Sequence, residues 1–100
     1  MIVQFTPAAE ADLESIGDRV AERSPLRAVS FVREVRERAE KTALFPRAGA
    51  PRPQWGTDVR MIVHGKYLVV YRSRDEVVQI LRIVHGARDL DALFADEPLG

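Results

Sequence analysis

Residues 58–89 read DVRMIVHGKYLVVYRSRDEVVQILRIVHGARD, and the fold turns on how this stretch is read. It contains three apolar runs, at residues 59–63, 67–71 and 77–84. Each is rich in β-branched and aromatic side chains, which suit the pleated surface of a sheet. The gaps between them are short. His64-Gly65-Lys66 supplies a glycine where a tight turn needs positive φ, and Ser73-Arg74-Asp75-Glu76 is a polar connection. Parallel neighbours would need crossovers of about a dozen residues or more, so the three runs predict an antiparallel meander. Arginine recurs along it at Arg60, Arg72, Arg74, Arg82 and Arg88, and two of these, Arg60 and Arg82, fall inside strands.

Upstream, residues 46–57 (PRAGAPRPQWGT) hold three prolines, two glycines, two arginines and the only tryptophan, and read as a loop. Before it lie two helices. Thr6-Pro7 starts the first, with Thr as cap and Pro at a position whose N–H is not needed. It runs to about residue 23 with Ala9, Leu13, Ile16 and Val20 as one apolar stripe. Ser24-Pro25 repeats the signal and opens a second helix reaching about residue 44, with Ala28, Phe31, Val32, Val35, Ala39 and Thr42 as its stripe. Glu34/Arg38 and Glu37/Lys41 on its other face have supportive i, i+4 spacing. So short a break predicts an antiparallel helix hairpin. Residues 1–5 predict a first strand whose partner the sequence does not identify. Residues 88–95 predict one or two helical turns, and residues 96–100 are expected to fray.

The order is thus β-α-α-β-β-β, an α+β fold with the helix hairpin packed on one face of a small, mostly antiparallel sheet. A chain of 100 residues predicts one domain, spanning 1–100. Residues 67–71 are apolar at both parities, which predicts burial on both faces. Nothing in the chain obviously covers the second face, so a bare apolar surface awaiting a partner is expected.

With 46% hydrophobic and 30% charged residues the composition is that of a globular protein. There is no cysteine, which excludes disulfides and thiolate metal sites. No run approaches the roughly 20 apolar residues of a membrane span, and the N-terminus lacks a signal-peptide pattern. A cytoplasmic location is therefore expected. The net charge is zero but unevenly spread. Residues 1–26 carry five acids and two bases, residues 27–88 thirteen bases and six acids, and residues 89–100 four acids. Such a basic middle can present a cationic face to an acidic partner.

The segments VRMIVHGKYLVVYR (59–72) and ILRIVHGARDL (80–90), behind a helix hairpin opening with PAAEADLESI, resemble the ParE branch of the RelE/ParE toxins, the toxin halves of bacterial type II toxin–antitoxin systems. The resemblance spans nearly the whole chain. It implies a β-α-α-β-β-β toxin neutralised by a ParD-like antitoxin in a hetero-oligomeric complex. It also implies one of two targets: DNA gyrase for ParE-type members, messenger RNA in the ribosome for RelE-type members. A metal-independent RNase needs cations for the transition-state phosphate and a group to move a proton. Where RelE-like members carry lysines, an arginine early in the next strand, an arginine after the last strand and a C-terminal tyrosine, this sequence has Arg60, Leu68, Arg88 and Phe94. Leucine holds no phosphate and phenylalanine carries no proton. The resemblance therefore implies a binding toxin that inhibits gyrase. The alternatives are an mRNA endonuclease using Arg60, Arg82, His85 and Arg88, or a non-toxic relic that only binds antitoxin.

Several residues have two readings. His64 and His85 can act as acid and base, or hydrogen-bond locally beside Gly65 and Gly86. Arg60 and Arg82 can pair with carboxylates inside the fold or meet an antitoxin or target, as can Arg88. Trp55 is either a binding anchor or a plug at the end of the core. Tyr67 and Tyr71 join them as candidate contacts. No third ligand stands near the histidines, and no phosphate loop, GxSxG elbow or carboxylate pair occurs, so neither metal nor cofactor is expected.

Overall fold

The computed structural model describes residues 1–96 and 99. The chain runs β1 (Ile2–Phe5), α1 (Pro7–Ala21), α2 (Pro25–Glu40), β2 (Ala50–Pro51), β3 (Val59–His64), β4 (Tyr67–Arg74), β5 (Val77–His85) and α3 (Leu90–Asp96). One sheet has the order β1-β5-β4-β3-β2. The predicted meander is its centre, with β3 and β5 both antiparallel to β4. β1 lies parallel to β5, so the first and last strands are neighbours. The loop at 46–57 is more regular than its composition suggests. Ala50 and Pro51 pair with Met61 and Arg60 as an edge strand, where a proline's missing donor does no harm.

Both helix starts follow the capping rules. The Ala9 N–H donates to Thr6 Oγ1 (3.0 Å) and the Arg27 N–H to Ser24 Oγ (3.2 Å). Thr6 also donates to the Leu81 carbonyl (2.9 Å), which ties the start of α1 to β5. α2 ends at Glu40, and a 3-10 turn at Lys41–Ala43 follows before Pro46. Glu34 pairs with Arg27 rather than Arg38.

The hairpin covers one face of the sheet. Ala9, Leu13 and Ile16 of α1 and Val35 and Ala39 of α2 pack on Tyr67, Val69, Tyr71, Val78, Ile80 and Ile83. The opposite face is not bare, contrary to the sequence reading. Trp55, Val59, Val70, Leu81 and Phe94 form a second buried cluster, roofed by α3 and the 3-10 turn at Pro53–Trp55. The Trp55 ring lies 5.0 Å from Phe94, and its Nε1–H donates to Asp91 Oδ1 (2.7 Å). Two-sided apolar strands were the correct reading; the cover comes from short elements whose apolar residues, Trp55, Leu90, Leu93, Phe94 and Leu99, are separated along the chain. The fraying expected at 96–100 falls largely on residues 97, 98 and 100, which lie outside the described residues. Leu99 accepts from the Arg72 guanidinium and donates its N–H to the Trp55 carbonyl (3.3 Å).

Both hairpin turns are two residues long. Gly65 takes φ of 60° in the first, and glycine does so without strain. In the second, Asp75 and Glu76 both hold positive φ, 53° and 65°. This is the geometry of a type I′ turn without the Asn-Gly pair that favours it. β4 therefore runs past the predicted end at residue 71 to Arg74. Replacing Asp75-Glu76 by Asn-Gly is expected to raise stability by about 1 kcal/mol in urea unfolding. An unchanged midpoint would mean that the turn is not held left-handed.

Candidate functional site

Arg60 stands near the start of β3, in register with Tyr71 of β4. Its Nη1 donates to the carbonyls of Arg47 (3.0 Å) and Gly49 (2.9 Å). Tyr71 pins the same loop from inside. Its hydroxyl donates to the Pro46 carbonyl (2.8 Å) and accepts from the Gly49 N–H (3.1 Å). Burial pushes the Tyr71 phenol above its ordinary pKa despite that N–H and nearby cations, so it stays a neutral donor. No side chain fits at Gly49, where a Cβ would lie 2.9 Å from the Met61 carbonyl oxygen and overlap the Tyr71 hydroxyl. The loop after α2 is therefore held rigidly on the sheet.

That rigid loop forms one wall of an open cleft of about 890 Å³. Met1, Leu44 and Phe45 line it and are 53%, 69% and 73% exposed. Arg47 and Arg60 stand on its rim with Asp58, and Asp58 is paired with Arg74 (3.4 Å). Leu44 and Phe45 were not singled out from the sequence, where they look like the end of a helix stripe. Because α2 gives way to the 3-10 turn first, both point to solvent.

The RNase candidates do not gather in one place. His85 is paired with Tyr67 at the far end of β4, and its ring lies 5.3 Å from that tyrosine. Tyr67 and Tyr71 are four residues apart, about 13 Å along a strand. Arg60 thus sits at one end of the meander and His85 at the other. Arg82 points to neither end: it forms a two-pronged pair with Asp12 of α1 (2.8 and 3.1 Å). Asp12 also accepts from the Ile83 N–H (2.8 Å), covering the edge of β5 beyond the last β1 residue paired with it. Asp12 was missed in the sequence because an acid near a helix start has a local explanation. Leu68 lies half-buried opposite Val84, and Phe94 is 3% exposed beneath Trp55. Arg88 and His85 share a smaller cleft with Tyr67 and α1. His64 packs its ring 5.9 Å from Phe31. Among the described residues no three metal-ligating side chains cluster, and no helix is long and apolar enough to cross a membrane.

The family model described as the ParE toxin of type II toxin–antitoxin system, parDE, matches residues 3–90. The chain belongs to this toxin family. Toxin RelE2 of Caulobacter vibrioides is 34% identical over 86 residues, covering 86% of this chain and 96% of that protein. Among solved structures, a chain of the chromosomal ParDE TA system from P. aeruginosa superposes with a TM-score of 0.73 at 28% identity, covering 85% of this chain and 95% of the other. The protein is thus a type II toxin of the ParE/RelE family. Its relatives carry both branch names.

Proposed function

We propose that this toxin is a one-domain protein that acts by binding, with DNA gyrase as its target, and that a ParD-like antitoxin neutralises it. The observation that carries the reading is the dispersal of the RNase groups. Phosphate cleavage needs cations and a proton carrier converging within hydrogen-bond reach of one atom. Here Arg60 lies at the opposite end of β4 from His85 and Arg88, which share a cleft, Arg82 is engaged by Asp12, and the resemblance puts Leu68 and Phe94 where RelE-like members carry an arginine and a tyrosine. The choice of gyrase over the ribosome follows the ParE-type members that the sequence resembles. In a supercoiling assay with purified gyrase and relaxed plasmid, the toxin is expected to inhibit the reaction, and added antitoxin to relieve it. Uninhibited gyrase beside efficient cleavage of ribosome-bound mRNA would overturn this assignment.

The cleft beside Arg60 supports an antitoxin footing. Exposed Leu44 and Phe45 on a rigid loop, rimmed by Arg47 and Arg60, complement an apolar segment flanked by acids. A Phe45→Glu change is expected to weaken antitoxin binding by about a hundredfold, as loss of a central aromatic anchor does. Leu26→Glu, at a position 88% exposed on α2, is the control and is expected to change nothing. Equal loss from both, measured by calorimetry, would remove the cleft from the interface.

A further inference from the structure

We infer that the smaller cleft, between α1 and the end of β5, is a binding site for a phosphate monoester group. This inference is independent of the antitoxin reading and concerns the binding of a phosphate group, not its cleavage. The cleft has a volume of about 480 Å³. Ser15 and Arg19 enter it from α1, Tyr67 from β4, and His85 and Arg88 from β5 and the turn after it. All five can donate hydrogen bonds. Among the described residues neither Arg19 nor Arg88 has an ion-pair partner, and the Tyr67 hydroxyl has no hydrogen-bond partner although the residue is only 8% exposed. A buried tyrosine ordinarily satisfies its hydroxyl. Here the hydroxyl oxygen instead keeps contact with solvent.

His85 adds a donor of fixed direction. Its Nδ1 accepts from the Ala87 N–H (3.0 Å), so the ring proton of the neutral imidazole sits on Nε2. Among the described residues the one acid lining the cleft is Asp12, and both its oxygens are engaged by Arg82, one of them also by the Ile83 N–H. The site therefore offers two guanidiniums, two hydroxyls and an imidazole N–H, with the Asp12 carboxylate already committed. A tetrahedral oxyanion with three terminal oxygens matches donors arriving from three elements better than a planar carboxylate does. Such a group belongs either to a free nucleotide or to the end of a nucleic-acid strand.

Amide NMR of the purified toxin titrated with sodium phosphate, against sodium chloride at matched ionic strength, tests the assignment. Saturating shifts confined to the amides around Ser15, Arg19 and residues 85–88 are expected, with a dissociation constant on the order of 1 mM. Arg19→Ala and Arg88→Ala each change an exposed side chain, and each is expected to weaken binding about tenfold. Tyr67→Phe is expected to cost about threefold at an unchanged fold. Adenosine 5′-monophosphate and a 5′-phosphorylated hexauridylate separate the two sources. Equal affinity assigns the site to a free monoester, and tighter hexauridylate binding assigns it to a strand end. Shifts no larger than those with chloride, or undiminished in the double arginine variant, would overturn the site.

Discussion

Asp12→Ala is expected to destabilise the toxin by about 3 kcal/mol, the low end for breaking a largely buried ion pair. The Arg82 and Asp12 side chains are 14% and 15% exposed, so the carboxylate is lost where water replaces it poorly. The Ile83 N–H loses its acceptor at the same time. For a chain of this size that corresponds to a fall in Tm of about 15 °C by circular dichroism. Much of the loss is the penalty of a largely buried guanidinium deprived of its Asp12 carboxylate. The double replacement Asp12→Leu with Arg82→Leu is therefore expected to recover a substantial part of it. A single-variant loss below about 1 kcal/mol would mean that the pair behaves as an ordinary surface bridge.

The second large effect is at Trp55. Trp55→Ala empties the centre of the cluster that seals the second face of the sheet, and is expected to cost about 3–5 kcal/mol. Trp55→Phe keeps a ring beside Phe94 but removes the donor to Asp91, for about 1–2 kcal/mol. Because α3 rests on this cluster, hydrogen exchange in residues 90–96 is expected to accelerate more than in β4. Uniform acceleration across the sheet would show that α3 is not separately held. Arg72 contributes to the same face. It is 8% exposed, burial pulls its guanidinium below the usual pKa, and it donates to the carbonyls of Thr57 (2.9 Å) and Leu99.

The meander, the hairpin and the inward stripes of α1 and α2 were legible because they rest on periodicity over many residues. The parallel pairing of β1 with β5 was not, since a four-residue strand carries no mark of its partner. The covering of the second face was hidden for another reason. Trp55, Phe94 and Leu99 are scattered over 45 positions and meet only in three dimensions. The site divides in the same way. Arg60, His85 and Arg88 are the cationic or titratable residues the sequence points to, but only the fold reveals that Arg60 is far from the other two. It also reveals that Arg82 is engaged by an acid seventy residues away.

The most direct test of the central claim is induction of the toxin in bacterial cells without antitoxin, with chromosomal DNA and mRNA followed in parallel. DNA breakage and an SOS response are expected while transcripts stay intact. Rapid cleavage of translated mRNA with unbroken DNA would contradict it, and would mean that groups as far apart as Arg60 and His85 are not needed together for the chemistry.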